Sequence, residues 1–379
     1  MRDDQKSVKV ATSPKRKNDL PPSSALPTEA TDTLTAVKRR RARIVDIARE
    51  AGVSVSTVNR VLNRCNNVRD TTVQRVLRVA VEMDYSLDNA QCAAALTKPM
   101  RLLFLLPAGN NRFIRMLGDY IAIVEKTFAP FSIKCQLRFH ETLDAADLAK
   151  SLLKYGQCAD GIAFIALEQA VVREAVSRLV DMGRHVVTLV SDLSHSRRIA
   201  YVGVDNHAAG RTAGYLMGRL VGERSGKIVV IAGSRSYLGH QQREEGFRAV
   251  VDEMFPHIEM LGLREAQEDP TLTYQLTRHM LRQHADLVGI YNIGGGPDGV
   301  ARAIKEARME KKVLFVGHEV TSETRSYLVD GTLDAVISQS AQTEILNAIR
   351  VFTNLRDGRM PKTGLEDVRI GIFVRENLP

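Results

Sequence analysis

The sequence predicts an α/β protein: an N-terminal, all-α helix-turn-helix headpiece followed by two doubly wound parallel-sheet subdomains. Three observations lead there. Residues Ile44 to Asn63 hold two short amphipathic helices around a glycine. From Arg101 onward, apolar β-runs alternate with amphipathic helices of ~10–15 residues, the pattern of a parallel sheet covered on both faces. Charge is also unevenly spread. Residues 1–100 carry 18 basic and 11 acidic residues, net +7, out of +9 for all 379 residues.

Residues 1–37 are rich in Pro, Ser, Thr and charge and poor in large apolar residues, as expected of a disordered tail. Lys15-Arg16-Lys17 inside it either adds non-specific DNA affinity or is a solvated run without a role. The headpiece is expected over 38–84. Ile44, Ile47, Ala48 and Ala51 fall on one helical face. Gly52 suits the left-handed residue that ends a helix. Ser54 caps the next helix, whose inward face is Val58, Val61 and Leu62. A third helix is expected from about Thr71 to Met83, with Val73, Val76, Leu77 and Ala80 inward. Two helices and a glycine turn alone fit an ordinary α-hairpin as well. The charge separates the two: Lys38 to Arg78 holds eleven Lys/Arg and three Asp/Glu, net +8, as phosphate binding requires.

The run Val45-Asp46-Ile47-Ala48, Ala51-Gly52-Val53-Ser54 and Thr57-Val58-Asn59-Arg60-Val61-Leu62-Asn63 resembles the headpiece of the lactose-repressor (LacI/GalR) family. That family has the form D-[VI]-A-x-x-A-G-V-S-x-x-T-V-S-R-x-[LI]-N, and Asn59 stands where it usually has Ser. The resemblance implies a second helix lying in the major groove of double-stranded, pseudo-palindromic operator DNA. The expected DNA-binding set is Arg43, Ile44, Ser54, Val55, Ser56, Thr57, Asn59, Arg60, Asn63 and Leu96. Val55 is placed to touch a thymine methyl, and the polar members can reach base edges and phosphates.

Residues 85–99 take the place of the family's hinge helix, from which a Leu wedges into the minor groove. Ala94 stands at that position and Leu87 replaces the usual Pro. Either Leu96 is the wedge on a shifted helix, or the bend is weaker.

In the core, strands are expected at Leu102–Leu106, Ile133–Phe139, Gly161–Ile165, His185–Val190, Tyr201–Val204, Lys227–Ala232, Ile258–Leu263, Leu287–Asn292, Val313–Gly317 and Leu333–Ser338, with a last one at Ile370–Val374. Helices fit Gln169–Met182, His207–Val221, Thr271–His284 and Pro297–Arg308. Residues 100–203 with 340–358 form one subdomain and 204–339 with 359–379 the other. Ligands bind beyond the carboxyl ends of such strands. The polar residues there are Ser191, Asp192, Asp205, Asn206, Asn292, Glu319 and Gln339, with Arg243 in Arg243-Glu-Glu-Gly-Phe247. Each alone is also an ordinary cap or turn residue; together they suit the hydroxyls of a sugar or polyol. The segments around Arg243, Asn292, Gly317-His-Glu319 and Gln339 are similar to ligand-contacting places in type I periplasmic sugar-binding proteins and in the LacI-family core, with Glu319 where Asp is usual. Asn111 and Phe113, after the first strand, complete the effector-binding set. With no Trp in the chain, Phe113 is either the stacking platform or a core residue.

No cofactor and no metal site is expected. The four cysteines have no CxxC spacing and read as reduced thiols. Gly294-Gly-Gly-Pro-Asp-Gly299 has neither phosphate-loop nor dinucleotide form, and no GxSxG elbow is present. A long apolar run and a signal peptide are both lacking, so no membrane partner is expected. The expectation is a cytoplasmic, ligand-responsive transcriptional regulator, a repressor and a homodimer, because no C-terminal heptad follows. The alternatives are a periplasmic-type solute-binding protein and an α/β enzyme.

Overall fold

The computed structural model describes residues 42–63, 68–83, 85, 87, 100–128, 133–140 and 143–379. The expected tail lies outside the described residues, as does the hinge, Ala94 and Leu96 included, apart from Tyr85 and Leu87, which pack against the headpiece core.

The headpiece is α1 (Ile44–Glu50), α2 (Val55–Leu62) and α3 (Asp70–Glu82). Ile47, Ala48, Ala51, Val58, Val61, Val76, Leu77 and Ala80 are buried in one small core. Gly52 takes φ +63° between α1 and α2. Ser54 Oγ then accepts from Thr57 N at 3.2 Å and starts α2. The third helix begins at Asp70, one residue before the expected start.

Beyond residue 100 the chain forms two lobes. The first sheet has β1 (Met100–Pro107), β2 (Ile133–His140), β3 (Gly161–Phe164), β4 (His185–Leu189) and β5 (Ala200–Val202) in the order β2-β1-β3-β4-β5. All its pairings are parallel. The second has β6 (Gly226–Ala232), β7 (Ile258–Glu265), β8 (Leu287–Asn292), β9 (Leu314–His318), β10 (Ala335–Ser338) and β11 (Gly371–Phe373) in the order β11-β10-β9-β8-β6-β7, parallel except for β11. The helices between strands are α4 (Arg112–Phe128), α5 (Ala145–Gly156), α6 (Ala170–Asp181), α7 (Asn206–Val221), α8 (Leu238–Met254), α9 (Pro270–Gln283), α10 (Pro297–Ala307), α11 (Ser322–Asp330) and α12 (Ala341–Arg356).

Strand order reverses at β1/β3 in one sheet and at β6/β8 in the other. Those two points are where loops diverge and leave a crevice, and here they face each other. The chain passes between lobes near residues 203–205 and 339–340, because Ile345, Ile349 and Phe352 of α12 bury against the first sheet. The third crossing comes about ten residues later than the expected boundary at 359. Leu365 and Val368 still pack on the first core, whereas Ile370 and Val374 pack on the second. Asn354 and Asn347 hold that stretch through the carbonyls of Pro361, Thr363 and Glu366 at 3.0, 2.8 and 2.7 Å.

Candidate functional site

Two surfaces carry chemistry. On the headpiece, Arg43, Ser54, Val55, Ser56, Asn59, Arg60 and Asn63 are exposed, while Ile44 and Thr57 are half-buried. Ile44 packs against the headpiece core, and Thr57 Oγ1 shares a 2.9 Å hydrogen bond with Ser54 Oγ. Val55 is 40% exposed at the first position of α2. The exposed part of this apolar side chain faces solvent, where a partner can reach it. Arg60 and Arg69 flank a shallow depression with Ser54, Thr57 and Thr72, a pairing of cations and hydroxyls suited to a backbone phosphate.

The second surface is a cavity of about 310 Å³ between the lobes. Asn111, Phe113, Ser191, Asn206, Arg243, Glu319 and Gln339 line it, together with Tyr237, His240, Glu268 and His318. Three expected residues are not brought there. Asp192 turns to Arg198, and also accepts from Thr188 Oγ1 and Leu193 N, both at 2.7 Å. Burial raises its pKa, but Arg198 and Thr188 outweigh that and leave it below the usual carboxylate range. Asp205 caps α7 by accepting from Ala208 N at 2.9 Å. Asn292 lies beneath the cavity wall, where its Oδ1 accepts from Gly294 N at 3.2 Å and its Nδ2 donates to Gly295 O at 3.3 Å. A strand end supplies more polar residues than the crevice can use, and these three hold turns together.

Arg243 forms the floor. Its Nε donates to Asn206 Oδ1 at 2.7 Å, its Nη1 to Ile293 O at 3.2 Å, and its Nη2 lies 4.0 Å from Glu319 Oε1. Glu319 accepts from Gln339 Nε2 at 2.8 Å and from Gln339 N at 3.2 Å. Burial lifts the Glu319 carboxyl, against the opposing pull of Arg243 and Gln339. Burial and the same guanidinium push His240 down to about 3 and His318 well below its ordinary value, so both rings are neutral. Phe113 is 5% exposed; it lines the cavity and belongs to the first core at once.

Four backbone positions on the cavity wall are non-glycine residues at positive φ: Val190 (61°), Gln267 (50°), Glu268 (59°) and Glu319 (66°). A β-branched Val is a particular outlier there. Such strain persists where surroundings over-determine it. The Val190 carbonyl accepts from Tyr201 Oη at 3.0 Å and Asn206 Nδ2 at 3.1 Å, which pins it.

The lobes also touch across the mouth. Asn111 Nδ2 donates to Glu268 Oε2 at 2.8 Å, and Arg112 pairs with Glu323 at 2.7 Å. Gly239 N donates to Ser191 Oγ at 3.2 Å, and Glu168 N donates to Ser236 O at 2.7 Å. The cleft is therefore closed. Glu268, Tyr237 and His240 are absent from the sequence-derived set. β7 runs to Glu265 rather than Leu263, so the strand-end rule reaches Glu268 once that boundary is known.

Behind the floor, Glu344 of α12 is fully buried, and neither carboxylate oxygen meets a donor. Burial, then the neighbouring Glu319, raise its pKa well above the ordinary value. A raised folded pKa contributes stability below the unfolded value, and that contribution is lost as pH rises through the folded one. Glu344→Gln is thus expected to have a thermal midpoint near that of the native chain at about pH 5. Its advantage should grow toward alkaline pH. Midpoints that fall in parallel across the range would contradict a neutral Glu344.

Fold and cavity define a two-lobed solute-binding domain carried behind a helix-turn-helix headpiece. The chain belongs to the periplasmic binding protein domain family, matched over residues 108–360, and residues 43–88 match the bacterial regulatory proteins of the lacI family. It is 24% identical over 196 residues to catabolite control protein A of Streptococcus mutans, covering 49% of this chain and 57% of that protein. It is 38% identical over 79 residues to the HTH-type transcriptional regulator DegA of Bacillus subtilis, covering 21% and 23%. The chain thus spans little more than half of the first relative and about a quarter of the second. Among solved structures, GanP, a glucose-galactose binding protein from Geobacillus stearothermophilus, superposes with a TM-score of 0.68 at 21% identity, over 74% of this chain and 99% of that one. No helix among the described residues is long and apolar enough to cross a membrane.

Proposed function

We propose that this protein is a ligand-responsive DNA-binding transcriptional regulator, a repressor whose operator binding is set by a small sugar or polyol held between the lobes. One observation carries the reading: a single chain presents an exposed reader helix, α2, and a closed polar cavity built from buried amides, carboxylates and one guanidinium. Neither part needs a metal or a redox cofactor for the task. Ser56, Asn59 and Arg60 offer donors and acceptors to DNA, Arg60 and Arg69 supply phosphate contacts, and Asn206, Arg243, Glu319 and Gln339 meet hydroxyl groups. Each headpiece reads one half-site, so a pseudo-palindromic operator and a homodimer go with this reading. It also places the protein with the DNA, in the cytoplasm.

The coupling is a difference in affinity. A ligand that contacts both lobes stabilises one arrangement, and DNA that prefers the other must then bind less tightly by the same factor. The test is made in the full chain. Val55→Asp places a carboxylate at the start of α2 without disturbing the headpiece core. It is expected to leave the thermal midpoint unchanged and to remove specific binding to selected operator DNA, measured by fluorescence anisotropy at fixed salt. Sugars and polyols that raise the midpoint are expected to change the native chain's DNA affinity. Specific binding that survives Val55→Asp, or stabilising sugars that leave DNA affinity untouched, would refute the proposal.

A further inference from the structure

The glycine run at Gly294–Gly296 has a use that its sequence does not announce. It sits at the amino end of α10, an 11-residue helix, where backbone N–H groups and the helix dipole favour negative charge. That place is occupied by the protein's own carboxylate. The Gly295 N–H is directed at Glu268, and Asn111 Nδ2 donates to it from the opposite lobe at 2.8 Å. Three glycines make the room. A Cβ on Gly233 or Gly295 would overlap the Glu268 carboxylate, and one on Gly294 would lie 2.9 Å from Glu268 Oε1. The backbone of Glu268 itself is held at φ +59° to deliver the side chain there.

Two further observations bear on the same cavity. Its two arginines already face protein carboxylates: Arg112 pairs with Glu323, and Arg243, whose Nε and Nη1 bind Asn206 and the Ile293 carbonyl, has its Nη2 4.0 Å from Glu319. Its two lining histidines carry no charge. Glu268 and Glu319 stand on the wall. An incoming anion would find the helix terminus filled, no lining arginine without a carboxylate beside it, and carboxylates within a low-dielectric space, where like charges repel strongly.

We propose that Glu268 is the specificity-determining residue of the cavity: an internal carboxylate that occupies its anion seat and restricts the ligand to uncharged hydroxylated molecules. Carboxylate- and phosphate-bearing counterparts of the same molecules are excluded. This rests on the reading of the cavity as a sugar or polyol site. Exclusion acts first by occupancy, since Glu268 uses the Gly295 and Asn111 donors; burial raises its carboxyl pKa, while the Asn111, Gly295 and Arg243 groups oppose that and favour the charge a second anion would meet. It acts on discrimination more than on affinity for the neutral ligand, because hydroxyls are met by Arg243, Asn206, Glu319 and Gln339.

The test uses the full chain and matched pairs: D-galactose with D-galacturonate, D-ribose with ribose 5-phosphate, D-glucose with glucose 6-phosphate, and D-arabinose with D-arabinonate. Binding is measured by calorimetry and thermal shift at neutral pH. In the native chain, the neutral member of at least one pair is expected to bind and its acidic partner to bind at least about tenfold more weakly. Glu268→Gln removes the charge, and Glu268→Ala also empties the seat. Both should narrow that ratio, the second more than the first. An acidic member that binds the native chain as well as its neutral partner overturns the proposal without variants, so a variant that misfolds does not shield it. A ratio unchanged in a folded variant that still binds the neutral sugar also overturns it, and leaves the sugar reading intact. If no member of any pair binds, the sugar reading itself falls and takes this proposal with it.

Discussion

Arg243→Met is expected to abolish effector binding, with a loss of at least about a hundredfold, and to lower the thermal midpoint of the core. Two effects act together. The guanidinium is the donor that orders the floor, through Asn206 Oδ1 and the Ile293 carbonyl. It is also the cation that faces Glu319 at 4.0 Å and favours the ionised forms of both Glu319 and Glu344. Removing one partner of a buried charge group costs about 3–5 kcal/mol, because the remaining charge stays unpaired in low dielectric. A methionine of similar length keeps much of the volume, so the cost reports charge rather than a cavity. The double variant Arg243→Met/Glu319→Gln separates stability from binding. It removes both charges, and is expected to recover much of the midpoint and none of the ligand binding. A double variant as unstable as the single one would show that the ion pair is not the source of the loss. Calorimetric unfolding and ligand titration on the three proteins read both quantities.

Much of this arrangement is legible in the sequence, for definable reasons. The apolar runs of β1, β3, β6 and β8 are continuous because both faces of a parallel strand are covered, and helical periodicity of 3.6 marks α6, α7, α9 and α10 between them. The headpiece is legible because its caps and turn are local: Ser54, Gly52 and the apolar positions of α1 and α2 need no distant partner. The cavity residues are partly legible, because strand ends are known once strands are. What one strand end cannot reveal is which of its polar residues faces inward. Asp192 is claimed by Arg198, six residues away, and Asp205 by the first turn of α7. Glu268 is the converse case. Its role depends on Asn111, 157 residues distant, and on glycines from two other loops. No local signal carries that. The late return of the chain to the second lobe is of the same kind, since it depends on Asn347 and Asn354 reaching backbone carbonyls across the surface of the first lobe.

Gly246→Val is expected to be the most damaging single change in the second lobe, lowering its stability by about 3 kcal/mol or more and disabling the cavity at a distance from it. Helix propensity alone argues the other way, since glycine inside a helix costs about 1 kcal/mol relative to alanine. Packing decides the sign. α7 presents Gly210, Gly214 and Gly218, one face at every fourth residue, and α8 lies directly on it. A Cβ on Gly246 would overlap the His207 carbonyl and come to 3.0 Å from Arg211 N; one on Gly210 would overlap the Arg243 carbonyl. These neighbours are backbone atoms and cannot rotate aside, so the helices must separate. Separation moves Arg243 of α8 away from Asn206 of α7, whose 2.7 Å contact sets the floor. It also disturbs Phe247, which stacks on Tyr291 at 4.5 Å, and through the Tyr291 hydroxyl the 2.8 Å contact to His318. The segment Arg243-Glu-Glu-Gly-Phe247 thus combines a cavity-lining guanidinium, the glycine that allows its helix to approach, and the aromatic ring that anchors it. Gly246→Ala provides the graded case. It should lose stability by less than the valine variant but still fall below the native chain, and lose ligand affinity alongside. A Gly246→Ala chain more stable than the native one would show that propensity outweighs the close crossing, and that α7 and α8 have more freedom than their backbone contacts allow.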